Sequence, residues 1–233
     1  MEFQDVVRRR RMVRRYSAEP VAPGSVDRLV RNAVRAPSAG FSQGWGFLVL
    51  DRPEDVSRFW EAATPPARAA QPDRWLRGMR TAPVVIVPFS SEAAYRRRYG
   101  EADKARADHA VPHGAGTHGE PAAPPGHSAG GDLPDAAARG AGWAVPYWHV
   151  DAGMAALLIL QTAVDEGLGA CFFGVPASRV AHLRAAFGVP EDHSPVGAVT
   201  VGHPAPDERP GGSAVRRPRR PLDDVVHRGR WSS

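Results

Sequence analysis

The chain is predicted to fold as an α/β (α+β) domain, and three observations carry that prediction. Pro83–Phe89 and Val196–Gly202 are apolar runs of strand length, the pattern of strands buried on both faces. Elsewhere apolar residues recur at helical spacing, as in Val26, Leu29, Val30, Ala33 and Val34. Met154 to Val164 is apolar nearly all round, which suits a helix at the centre of a core or at a subunit interface. A chain of 233 residues with 42% hydrophobic content can bury such a core in one domain, taken here as 1–233.

The elements follow in order. Phe3, Val6 and Val7 begin a helical face that runs into a cluster of arginines. Ser25 is the expected N-cap of the next helix, which Pro37 ends. Gly46–Leu50 reads as a strand, and Pro53–Ala63 as a helix with Val56, Phe59 and Trp60 inward. Residues 100–142 are rich in Gly, Pro, Ala and His without periodicity, and are expected to form a mobile insertion. Its His109, His113, His118 and His127 fit no metal-ligand spacing, so no metal is expected.

Beyond the insertion, the long apolar helix closes at Gly167 and Gly169–Gly174 reads as a short strand. Ser178 is the expected cap of a helix to Phe187, stopped by Gly188. A 25.0 kDa protein has little room to bury an all-round apolar helix alone, so a homodimer packed through it is expected. Residues 203–233 form a Pro/Arg tail that must lie on another surface to be ordered.

Charge is informative once located. The net charge is +5, yet residues 16–206 carry 17 Lys/Arg against 19 Asp/Glu. The two ends, 1–15 and 207–233, carry 13 against 6, and Lys104 is the only lysine. Arginine offers a planar, permanently charged fork suited to phosphates and carboxylates. No zinc-finger spacing or RNP-type aromatic pattern accompanies it, so nucleic acid is not the expected partner. The single cysteine, Cys171, excludes an internal disulfide and suits a reducing compartment. No apolar run follows Arg8–Arg15, and no stretch has the ~18 apolar residues of a membrane span, so a cytoplasmic protein without a membrane partner is expected.

Several standard sites are absent from the sequence. There is no Walker loop, no Gly-x-Ser-x-Gly elbow and no His-Glu-x-x-His helix. Gly167-Leu168-Gly169 lacks the third glycine of a dinucleotide fingerprint and precedes a strand. The informative segment is Ala36–Trp45, whose small residues let backbone N–H groups approach a flat polar ligand. With the terminal arginines it points to a planar, anionic cofactor.

Arg10-Arg11-Met12-Val13-Arg14-Arg15-Tyr16, followed by Glu19-Pro20-Val21, resembles the opening of the nitroreductase family of FMN-dependent oxidoreductases. Ala36–Trp45 is similar to that family's Ala-Pro-Ser-x-x-x-Ser-Gln-Pro-Trp segment, and Asp151–Gly174 to its long helix, Gly-Leu-Gly and strand. Arg216–Leu222, with Val225, Val226, His227 and Trp231, resembles its closing tail. The resemblance implies a mixed central sheet flanked by helices, in an intertwined homodimer with FMN at the subunit interfaces.

It assigns Arg10, Arg11, Met12 and Arg14 to the FMN phosphate, ribityl chain and pyrimidine edge, with Arg217 and Arg219 near the phosphate. Pro37, Ser38, Ala39, Gly40, Phe41 and Gln43 would line the flavin from the second subunit, and Phe172, Phe173 and Gly174 would sit near its N5 edge. NAD(P)H is then the donor and a nitroaromatic or quinone an acceptor, with the flavin carrying the chemistry and no catalytic acid or base in the protein.

Three positions depart from the family pattern: Met12 for a serine, Phe41 for an asparagine, and Gly44 for a proline, which is expected to loosen the turn. The Gly40–Gln43 form is also similar to flavin-fragmenting benzimidazole synthases, and a flavin-storage protein without turnover is a further alternative. Trp45, Trp60 and Trp75 read as packing residues and Cys171 as an inert core thiol. Phe41, Tyr147 and Trp148, with His149, are the candidates for a substrate-pocket wall, the last three just before the long helix.

Overall fold

Strands β1 (Trp45–Leu50), β2 (Val84–Ser90), β3 (Gly169–Phe173), β4 (Ser194–Pro195) and β5 (Ala198–Gly202) form one sheet. Its order is β1-β2-β5-β3, with β4 paired to β2. The computed structural model describes residues 1–104, 145–209, 211 and 213–231. The sequence-expected insertion falls largely on 105–144, outside the described residues, as do its four histidines.

β2 is buried along its whole length, as its unbroken apolar run predicts, because it lies between neighbours in the sheet and helices on both faces. On one face, α2 (Pro23–Ala33) packs with α7 (Tyr147–Asp165), joining Leu29 and Ala33 to Ala155 and Ile159 over Ile86 and Val199. On the other, α3 (Pro53–Ala63), α5 (Arg74–Met79) and α8 (Ala177–Phe187) bury Phe59, Leu76, Met79 and Leu183 over Val85 and Val87. The result is a helix–sheet–helix sandwich. The shorter helices are α1 (Phe3–Arg9), α4 (Pro66–Ala70), α6 (Glu92–Tyr99) and α9 (Ser213–Arg216), with 3₁₀ turns at Ala39–Phe41 and Leu222–Asp224.

Some expectations are corrected. α2 starts at Pro23, with Ala22 as the cap, and Ser25 instead donates its hydroxyl to Glu166 Oε2 at 2.8 Å. α8 starts at Ala177 behind Pro176, so Ser178 lies inside it. In both cases proline supplies a helix-compatible φ at the entrance, removing the need for a side-chain cap. The last strand divides into β4 and β5, although Val196 N–H still reaches Pro88 O at 3.0 Å. Pairs between the five strands are all antiparallel; the parallel component of the mixed sheet is a single bridge, Met12 to Ala170. Tyr147, Trp148 and His149 belong to the first turn of α7 rather than preceding it.

α7 buries one side only. Tyr147, Val150, Met154 and Leu157 are exposed at alternating three- and four-residue spacing. The tail also presents Leu222, Val225, Val226 and Trp231 to solvent. Among the described residues no helix is long and apolar enough to cross a membrane.

Candidate functional site

The arginine segment is built by what lies beneath it. After α1 the chain runs extended along β3, where Val13 N–H donates to Ala170 O at 2.9 Å. Val13 and Tyr16 point inward, and the Tyr16 hydroxyl bonds Val13 O at 2.7 Å and Thr200 Oγ1 at 2.8 Å. Burial raises the pKa of Tyr16 well above the usual phenol range. The close approach depends on Gly169, where a Cβ would stand 2.7 Å from the Val13 side chain.

With Val13 and Tyr16 committed to the interior, the arginines line the outer edge of the segment. Arg10 makes no side-chain hydrogen bond or ion pair among the described residues. Arg11 Nη1 is buried, has no hydrogen-bond partner, and lies 3.6 Å from Glu208 Oε1. Glu208 also accepts the Arg14 N–H at 3.1 Å, and Asp207 pairs with Arg15. These acids arrive because residues 203–205 zip onto 15–17, through Ser17 N–H to His203 O and Ala205 N–H to Arg15 O.

The start of the tail therefore meets the N-terminal arginines through two acids, Asp207 and Glu208, and not through the basic residues that the charge placement pointed to. Arg217 and Arg219, further along, are exposed and make no hydrogen bond or ion pair with the N-terminal arginines among the described residues. Met12 is half-buried at its bridge to Ala170, packing against both cores. Glu208 had no signal in the sequence beyond being an acid in a basic tail.

The Ala36–Trp45 segment is a sharply folded loop that opens on the buried Ala36 and the exposed Pro37. Gly40, Phe41 and Gln43 have φ of 62°, 56° and 49°, and the two non-glycines cost about 1–3 kcal/mol each in such conformations. Surrounding contacts hold them. Ala39 N–H donates to Asp151 Oδ2 at 2.7 Å, and Gln43 N–H donates to Ser38 Oγ at 2.8 Å. Arg98 Nε donates to Gly40 O at 2.9 Å, and Ser42 Oγ to Ala39 O at 2.6 Å. Phe41 stands at the tip, 72% exposed. Gly44 does not loosen the turn: a Cβ there would lie 2.5 Å from the Tyr95 ring, which packs directly on the backbone.

At the other edge of the sheet, β3 ends on Phe172 and Phe173, with Gly174 following. The Phe173 ring stacks on Trp60 at 5.5 Å and meets Trp75 edge-on at 5.5 Å, while Phe172 packs into the α7 side of the core. Gly174 is exposed and, with Phe173, Trp60, Trp75 and Arg68, borders a small cleft. Arg68, stacked over Trp75 at 4.7 Å, is a cationic neighbour the sequence did not flag. Cys171 is buried and its thiol is pushed up to about 11 by desolvation, matching an inert core role.

At the start of α7, Trp148 lies 6.3 Å from Tyr95 and His149 Nδ1 lies 2.8 Å from Ser90 Oγ. Trp148 and His149 wall a surface depression shared with Glu92, Arg96 and Asp192. Tyr147 is outside that wall and faces solvent with the α7 stripe. A cavity of about 540 Å³ among the described residues, between Pro20, Val26, Val56, Trp60 and Arg80, contains none of these residues. Among the described residues no cluster of His, Cys, Asp or Glu suits a metal.

A model of the nitroreductase family matches residues 7–118 and 133–203 of this chain. The chain is 34% identical over 82 residues to an NADPH-dependent oxidoreductase of Staphylococcus aureus strain MRSA252, and 37% identical over 82 residues to one from strain USA300. Each match takes in 35% of this chain and 31% of the relative, so it spans about a third of those proteins. A protein of Exiguobacterium sibiricum described as a nitroreductase, solved in complex with FMN, superimposes with a TM-score of 0.64 at 20% identity, covering 100% of this chain and 98% of its own. One from Desulfovibrio desulfuricans, also in complex with FMN, gives 0.62 at 21%, covering 100% and 99%. At such identities the likeness establishes the fold. With the family match extending over more than half of its residues, the chain belongs to the nitroreductase family.

Proposed function

We propose that the protein is an FMN-dependent oxidoreductase that passes reducing equivalents from NAD(P)H to an electron-poor acceptor, such as a nitroaromatic or a quinone. The observation that carries this reading is spare hydrogen-bonding capacity on the arginines beside β3. Among the described residues Arg10 has no hydrogen bond or ion pair, and the buried Nη1 of Arg11 has no hydrogen bond, with Glu208 Oε1 3.6 Å away. A buried guanidinium nitrogen without an acceptor is costly, and a phosphate oxygen is a fitting one. The residues present therefore suit a mononucleotide, as do the FMN complexes of the two structural neighbours.

In this reading Arg10 and Arg11 hold the phosphate and Arg14 stands by the pyrimidine edge. Arg217 and Arg219 add charge once the tail finds its surface. The Ser38–Gln43 loop, from a second copy, presents backbone and Phe41 to the ring system. Bound FMN supplies reversible two-electron transfer, so the chain needs no acid or base of its own. Guanidinium groups fixed near the pyrimidine edge favour the anionic reduced form. The exposed α7 stripe and the uncovered tail support assembly as a homodimer.

The test is anaerobic mixing of FMN-loaded protein with NADPH and with NADH, followed by visible absorbance. Bleaching of the oxidised flavin band, then its return on adding a quinone, is the expected result. A band that persists with both donors indicates flavin storage, and protein that stays colourless after FMN addition overturns the reading.

A further inference from the structure

Asp151 is a buried acid that the proposed chemistry does not use. Its side chain sits on α7, 2% exposed, and no cation pairs with it among the described residues. Both donors it meets are neutral: the Tyr95 hydroxyl at 2.6 Å and the Ala39 N–H at 2.7 Å. Both reach the same oxygen, Oδ2. Burying a carboxyl group with such partners is unfavourable unless the contacts secure something else.

What they secure is the loop of the candidate site. Tyr95 is fully buried, its hydroxyl also lies 3.3 Å from Ser38 Oγ, and Ser38 Oγ in turn accepts the Gln43 N–H. The chain Asp151–Tyr95–Ser38–Gln43 thus grips the far end of the loop, while the Ala39 amide grips its beginning. Between those two anchors lie Gly40 and Phe41, both with positive φ, and Gln43 at the second anchor completes the set.

We propose that Asp151 is the positioning residue of the Ser38–Gln43 loop, fixing it through Tyr95 and the Ala39 amide in the conformation that receives the flavin before any ligand arrives. The receiving role rests on the function proposed above; the positioning role stands on the geometry alone. Preorganising a loop in this way lowers the ordering cost of binding.

Three variants of the full chain separate the possibilities. Asp151→Asn can place its carbonyl oxygen where Oδ2 accepts both bonds, Asp151→Leu removes the acceptor, and Tyr95→Phe removes only the hydroxyl. Amide hydrogen exchange of Ala39 and Gln43 is measured without flavin, FMN affinity by fluorescence quenching, and stability by thermal melting. For Asp151→Leu both amides are expected to exchange at least ~10-fold faster, and the FMN Kd to rise roughly 10- to 100-fold. Tyr95→Phe releases Gln43 more than Ala39. Asp151→Asn keeps exchange and Kd within ~3-fold of wild type even though its buried NH₂ lowers the melting temperature.

Unchanged exchange in Asp151→Leu overturns the positioning role. So does an Asp151→Asn protein whose Kd rises as far as that of the leucine variant, because Asp151 would then matter only to overall stability. If Asp151→Leu does not fold, unchanged Gln43 exchange in Tyr95→Phe overturns it equally. Wild-type protein that binds no FMN defeats the flavin reading, and the exchange data still decide the positioning role.

Discussion

At the scale of single residues, Arg10 and Arg11 stand differently toward the phosphate proposed for them. Arg10 has no hydrogen bond or ion pair among the described residues, so its removal strands none of them. Arg11 faces Glu208, so its removal also takes a cation from a half-buried carboxylate. Arg10→Ala is therefore the cleaner probe: FMN affinity is expected to fall roughly 10- to 100-fold, the value of a charge-assisted hydrogen bond, with an unchanged melting temperature. Fluorescence titration and calorimetry of the same sample check both halves. Cys171 gives a second prediction, in pH. Its folded pKa, about 11, exceeds the ordinary thiol value of 9.0, so the folded state holds the proton more tightly. The resulting stabilisation is complete below pH 9.0 and is lost as pH rises through about 11, a loss on the order of 2–3 kcal/mol. Urea unfolding across that window should fall more steeply for wild type than for Cys171→Ala, the difference cancelling the contribution of Tyr16.

Elements were legible where a local pattern decides them. β2 is an unbroken apolar run, and α3 opens on Pro53 with Glu54 and Asp55 in its first turn, so both appear with the expected bounds to within a residue. Ser25 and Ser178 misled because cap preference is a weak local bias that a neighbouring proline overrides. Asp151 and Glu208 were invisible for another reason: their partners, Ala39 and Arg14, lie 112 and 194 residues away in sequence. No periodicity reports a contact at that separation. The loop was recognised from its small residues, yet not the carboxyl group that shapes it. Gly169 belongs between these cases, since Gly-Leu-Gly is visible but its purpose is the packing of Val13. Gly169→Ala places a methyl 2.7 Å from that side chain, and the N-terminal segment must lift from β3. A loss of about 1–3 kcal/mol in urea unfolding is expected, with FMN affinity falling alongside because the arginines ride on the same segment.

At the scale of the whole molecule, one chain holds the parts of the proposed site on separate elements. The arginines lie along β3, Phe41 projects into solvent from the far side of the fold's α6–α7 clamp, and the α7 stripe and tail lack cover. If two copies complete one another, each site takes its arginines from one chain and its loop from the other. That arrangement has a stoichiometric signature. Arg10→Ala disables the first half; Gly40→Val disables the second, because its φ is 62° and its Cβ would lie 2.8 Å from the Tyr99 ring. Neither homodimer should bind FMN at wild-type affinity. A heterodimer of the two, co-expressed with different affinity tags and purified through both, carries one doubly altered site and one intact site. About half a flavin per chain should then bind with wild-type Kd. Were the site built within a single chain, every site in that heterodimer would carry one defect, and no wild-type class would appear in the titration.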